Sequence, residues 1–117
     1  MTLYFDLNAG KKPTLRELQL LRDNDGRQVR VIDTVAPCWQ ELAVALGFDG
    51  AAIEVIDRGD FYRPEDACRK MFIRWQNGEQ GLRRPITWTT LIECLQEVTK
   101  LGDFHETVMN CLCNMST

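Results

Sequence analysis

Five cysteines and a single histidine are the residues of this chain best suited to metal or nucleophilic chemistry. Cys38, Cys68, Cys94, Cys111 and Cys113 are spread along the sequence, and only the last two are close, as a C-x-C with His105 upstream. A structural zinc site wants four well-spaced ligands, and the second cysteine pair that would supply them is missing. His105 has no Ser or Cys nucleophile beside it in a recognisable motif. As the second residue of a helix it is expected to face solvent or to cap that helix. The carboxylates of Asp57, Asp60, Glu65 and Asp66 fall on an exposed turn, where nothing would shift their pKa values as acid–base catalysis requires. A phosphate loop, a dinucleotide motif and an acidic metal-binding loop are all absent from the sequence. These residues therefore predict no enzyme, no cofactor and no metal. An odd number of thiols, four of them inside helical patterns among apolar neighbours, predicts instead a reducing compartment and cysteines that act as small hydrophobes.

Charge is the more informative chemistry. Residues 31–57 contain five acids, Asp33, Glu41, Asp49, Glu54 and Asp57, and no Lys or Arg. Residues 58–84 contain seven bases, Arg58, Arg63, Arg69, Lys70, Arg74, Arg83 and Arg84, against four acids. A net charge of −3 thus hides an acidic half and a basic half. Solvated helix faces produce some segregation of this kind by themselves. The sharper reading is a self-complementary surface, in which the acidic helices of one copy dock on the basic helix and loop of another. Contacts between unlike patches do not close on themselves unless rotation allows it, so they build rings or open assemblies. The arginines at 69, 74, 83 and 84 raise a helical nucleic-acid-binding domain as the alternative. Against it stand a pI near 5.1 and the lack of a basic stripe interleaved with exposed aromatics.

These residues need a scaffold, and the sequence writes one in helices. At 117 residues, 44% hydrophobic and 26% charged, the chain has the size and composition of one globular domain. No apolar run approaches the ~20 residues of a membrane span. Lysines follow rather than precede the first apolar residues, the reverse of a secretory signal, which predicts a cytoplasmic protein.

Seven helical segments follow from periodicity and capping. Thr14 and Glu17 form a T-x-x-E capping box opening a helix to about Arg22, with Leu15, Leu18 and Leu21 as its stripe. DNDG at 23–26 stops it. Residues 28–36 place Val29, Ile32 and Val35 on one face, although their β-branched side chains also suit a strand. Pro37 opens a helix with Trp39, Leu42, Ala43 and Leu46 inward, ending at Gly47. Asp49 caps a short helix ending near Gly59, its inner face made by Ile53 and Ile56, with Phe48 and Ile53 as a hydrophobic staple. Pro64 opens a longer helix carrying Cys68, Met71, Phe72 and Trp75, closed by Asn77-Gly78. GEQGLRRP at 78–85 reads as an exposed basic loop. Thr87 caps a helix lined by Trp88, Leu91, Ile92, Leu95 and Val98, with Ile86 and Leu91 at staple positions. Asp103 and Glu106 form a D-x-x-E box at the start of the last helix, which continues through Phe104, Val108 and Leu112. Three tryptophans in three of these segments should converge on one core.

The order VAPCWQELAVALG, AAIEVIDRG, PEDACRKMFIRW, a variable loop, and PITWTTLIECLQEV resembles a death domain from about Gln28 to Leu112. Trp39-x-x-Leu42-Ala43, Cys68-Arg69 and Met71-Phe72 with Trp75, and Trp88-x-x-Leu91-Ile92 carry the likeness. The resemblance implies an all-α, six-helix antiparallel Greek-key bundle, the death fold, with a death domain over 27–113, an N-terminal extension over 1–26 and a frayed tail over 114–117. TLREL is either an extra N-terminal helix or the start of a lengthened first one. The resemblance further implies a signalling module of apoptosis or innate immunity, partnered by other death-domain proteins and by itself, with no nucleic acid, membrane span or small-molecule substrate. It also implies three pairings between copies: Arg69 and Lys70 with Glu41 and Asp49; Arg74, Arg83 and Arg84 with Asp103 and Glu106; Glu54 and Asp57 with Arg58 or Arg63.

Overall fold

In a computed structural model of the chain, the described residues are 10–23, 25–59, 63–78 and 85–115. The capping box of Thr14 and Glu17 forms as the sequence predicts. Glu17 N–H donates to Thr14 Oγ1 at 3.1 Å and Thr14 N–H to Glu17 Oε1 at 3.0 Å. The helix it starts, α1, is shorter than expected and runs only over Leu15–Gln19. Leu20 is extended, and Leu21–Arg22 (β1) pairs antiparallel with Gln28–Val29 (β2). The cause is local: Asp23 Oδ1 accepts from the N–H groups of both Asp25 and Arg27 at 2.9 Å. Such a side-chain turn, with Gly26 at φ 79°, reverses the chain where a helix would have to continue. The expected helical ends at Arg22 and Gln28 are therefore a hairpin.

The six helices that follow keep the predicted order. They are α2 (Val31–Val35), α3 (Trp39–Leu46), α4 (Gly50–Asp57), α5 (Pro64–Asn77), α6 (Trp88–Glu97) and α7 (Phe104–Met115). Pro37 lies in a 3-10 turn, Ala36–Cys38, that leads into α3, and a second such turn, Thr99–Leu101, joins α6 to α7. Asp49 caps α4 through Ala52 N–H at 2.8 Å, and Thr87 caps α6 through Thr90 N–H at 3.3 Å. Gly47 and Gly78 end α3 and α5 in the left-handed region, at φ 107° and 66°, where a Cβ would strain the backbone.

One core receives every inward stripe. Trp39, Trp75 and Trp88 are buried, and Phe72 meets Trp75 edge-on with ring centroids 6.2 Å apart. Cys38, Cys68, Cys94 and Cys111 are free thiols within that core, and Cys94 Sγ–H donates to the Ala45 carbonyl at 3.3 Å. The extension joins the same core. Leu18 and Leu21 are buried in it, the Lys11 carbonyl accepts from Trp88 N–H at 3.0 Å, and the Pro13 carbonyl accepts from Gln76 Nε2 at 2.6 Å.

Candidate interaction surfaces

The acids expected to form one docking face lie exposed on α3, α4 and the turn between them, and most are already engaged within the chain. Glu41 meets Lys100 Nζ at 2.9 Å, a bond that raises the Lys100 pKa through the hydrogen bond first and the charge second. Asp57 Oδ1 accepts from Gln40 Nε2 at 3.0 Å, which ties α4 to α3. Asp49 is occupied as the α4 cap. Glu54 and Arg58 form an ion pair one helical turn apart, so Arg58 shares a surface with the acids it was expected to meet on another copy.

The basic residues behave differently. Arg63 is the N-cap residue of α5 and is exposed; Arg69 is exposed and Lys70 half-buried on the same helix. None of these three has a hydrogen bond or ion pair among the described residues. Arg74 is half-buried near the end of α5. Arg83, Arg84 and Asp60 lie outside the described residues. Asp103 and Glu106 are exposed at the start of α7, where Glu106 N–H donates to the Asp103 carbonyl at 2.9 Å.

His105 departs from expectation. It is half-buried, and its Nδ1 is buried without a hydrogen-bond partner among the described residues. The reason is helical phase: His105, Val108 and Leu112 stand at i, i+3 and i+7, and the last two are fully buried. The same phase was legible in the sequence. Burial pushes the thiols away from reactivity as well. Desolvation raises Cys68 beyond the usual thiol range and takes Cys111 up to about 11, nearby acids adding to it in both. Protonated, buried thiols of this kind are poor nucleophiles and poor metal ligands.

Two surface features escaped the sequence reading. Val44 and Val55, on α3 and α4, are large apolar side chains pointing to solvent; the α3 stripe of 39, 42, 43 and 46 already leaves 44 off the inner face. A groove lined by Gln19, Leu20, Arg30, Ile32, Asp33 and Arg69 brings α1, α2 and α5 together. It depends on the hairpin, which no periodicity announced.

Among the described residues no group of three or more His, Cys, Asp or Glu could hold a metal ion, and no helix is long and apolar enough to cross a membrane. What the arrangement offers is a helical bundle with exposed acids on α3 and α4, exposed bases on α5 and shallow, mostly polar hollows. Residues 27–102 match the family model of the death domain, and the chain belongs to the death-domain family. Its fold is accordingly the all-α death fold, and death-fold domains are the class of partner such a module takes. No curated protein and no solved structure matches the chain.

Proposed function

We propose that this chain assembles signalling complexes in apoptotic or innate-immune signalling, recruiting other death-domain proteins and further copies of itself by homotypic contact. It acts in the cytoplasm, without catalysis, cofactor, nucleic acid or small-molecule substrate. Residues 27–113 carry the contacts, 1–26 form an extension and 114–117 a tail. The observation that carries this reading is the separation of exposed charge in a death domain. Arg63, Arg69 and Lys70, at the start of α5 and along it, have no partner among the described residues, and Glu41, Asp49, Glu54 and Asp57 lie exposed on α3, α4 and the turn between them.

Arg69 and Lys70 meet Glu41 and Asp49 of a neighbour, and Glu54 and Asp57 meet Arg63 or Arg58. Arg74, Arg83 and Arg84 meet Asp103 and Glu106. Each exposed pair contributes only about 0–1 kcal/mol, so assembly rests on many pairs acting together. Salt weakens contacts of this kind.

Light scattering over a range of protein and salt concentrations tests the reading. Association should grow with concentration and fall with salt. Reversing Arg69 and Lys70 to Glu should abolish it, both with this chain and with a death-domain partner, while far-UV circular dichroism stays unchanged. Undiminished assembly by that variant refutes the proposal. The third pairing is tested by restoration. Arg83→Glu with Arg84→Glu, and separately Asp103→Lys with Glu106→Lys, should each weaken assembly, and a mixture of the two proteins should recover a contact. A mixture of folded proteins that fails to recover shows that these patches do not face each other.

A further inference from the structure

The connection between α5 and α6 is held at both ends by a stretch of chain that precedes the family match, which begins at residue 27. The Lys11 carbonyl accepts from Trp88 N–H at 3.0 Å, and the Pro13 carbonyl accepts from Gln76 Nε2 at 2.6 Å. Trp88 opens α6, and Gln76 lies in the last turn of α5. The first N–H groups of a helix have no acceptor within it. At α6, Thr87 serves the N–H of Thr90 and Lys11 that of Trp88. Lys11 and Lys12 are exposed while Pro13 is buried, so two carbonyls and the proline ring secure this segment rather than its lysine side chains.

The two ends of the connection also touch each other. Gly78 closes α5 at φ 66°, and a Cβ there would lie 3.6 Å from Ile86 Cδ1. Between these ends run residues 79–84, which include Arg83 and Arg84. A connection whose ends are pinned has less freedom to lose when its side chains dock. The extension does not need the two bonds for its own anchorage, because the Thr14–Glu17 capping box and the buried Leu18 and Leu21 already fix it to the core. What the bonds add falls on the α5–α6 junction.

We propose that residues 11–13 are a strap that sets the spacing between the end of α5 and the start of α6, and so presents Arg83 and Arg84 to Asp103 and Glu106 of a second copy. Pro13 and Gln76 are positioning residues, acting through the ends of the connection and not on the partner. The inference rests on the proposed pairing of those four charged residues and adds the element that orders its basic side. Only the basic side depends on the strap, so a copy with a loosened strap still offers Asp103 and Glu106.

A strap variant of the full chain, Pro13→Gly with Gln76→Met, tests it; methionine keeps the length and helix preference of Gln76 without its donor. Circular dichroism and melting check the fold, and if the pair melts early Gln76→Met alone takes its place. Amide exchange at Trp88 should quicken at least about tenfold, and sedimentation velocity should show association about tenfold weaker, since reordering one or two backbone residues on contact suffices for that. Mixing decides where the loss lies. With Asp103→Lys, Glu106→Lys, which keeps its strap and its arginines, the strap variant should recover a contact through its own acids. With Arg83→Glu, Arg84→Glu it should recover none, because neither protein then has a working basic side. Parent-like exchange at Trp88, or parent-like association by the folded variant, overturns the inference while charge-dependent assembly stands. Recovery with both mixtures, or with neither, overturns it as well, because the strap would not act on the basic side alone. If the two charge-reversed proteins do not recover a contact with each other, the pairing itself fails and the inference falls with it.

Discussion

The short helices α3 and α4 and the long helix α5 carry opposite charge and hold it in opposite ways. The first pair is acidic and internally satisfied: Glu41 to Lys100, Asp57 to Gln40, Asp49 to the α4 backbone, Glu54 to Arg58. Helix α5 is secured from below, by buried Ala67, Cys68, Met71, Phe72 and Trp75, and leaves Arg69 and Lys70 without partners among the described residues. A short amphipathic helix buries too little to hold itself, so it leans on caps and surface bonds. Fourteen residues with five in the core rest more on that burial, with Gly78 and the Gln76–Pro13 bond securing the far end. The lesson is that cations can stand free for a partner where the core beneath them is sufficient.

That contrast can be broken at several levels, beginning with the core. Trp75→Ala on α5 should destabilise the fold by about 3–5 kcal/mol, and Trp39→Ala on α3 by an amount toward the lower end of that range, since Trp39 keeps slight exposure. Urea unfolding of both checks it; a smaller loss at Trp75 than at Trp39 would reverse the ranking. Leu18→Ala should cost about 2–5 kcal/mol, because the extension packs against α2 and α5 with Leu18 fully buried. A loss below a kcal/mol would show the extension to be dispensable.

At the surface the expected effects shrink. Asp49→Ala removes the α4 cap and should cost about 0.5–2 kcal/mol, with Asp49→Asn recovering most of it in the same unfolding assay. Replacing Arg69 and Lys70 by Glu should move stability by no more than about 0.5 kcal/mol, since neither side chain has an internal partner to lose. A large fall in Tm would mean that α5 is not held from below. The last effect is confined to high pH. The Cys111 thiol is raised from 9.0 to about 11 in the folded chain, so folding retains a proton that the unfolded chain releases. Stability from this group is full below pH 9 and is lost as pH rises toward 11. Melting temperatures of the parent and of Cys111→Ala across that window should fall less steeply for the variant.

Periodicity and caps were enough to mark α3 to α7, because each stripe is amphipathic and each boundary carries Pro, Gly, Asp or Thr with one conformational meaning. The order of those stripes around three tryptophans sufficed for the family. The region from Arg22 to Gln28 was not legible in the same way. There an Asp side chain competes with the helix for backbone N–H groups, and two-residue strands are too short for a period to show.

The sequence by itself determined the helices, the inward residues and the division into acidic and basic halves, since all three depend on neighbours one or two turns away. Only the tertiary structure decided which charges are spent at home. Glu41 and Lys100, or Gln40 and Asp57, meet because α3, α4 and the α6–α7 connection pack together. It also decided that Leu18 and Leu21 enter the core while Leu20 between them stays out beside Arg69. A contact between residues far apart in sequence is set by how helices pack, and no local pattern records it.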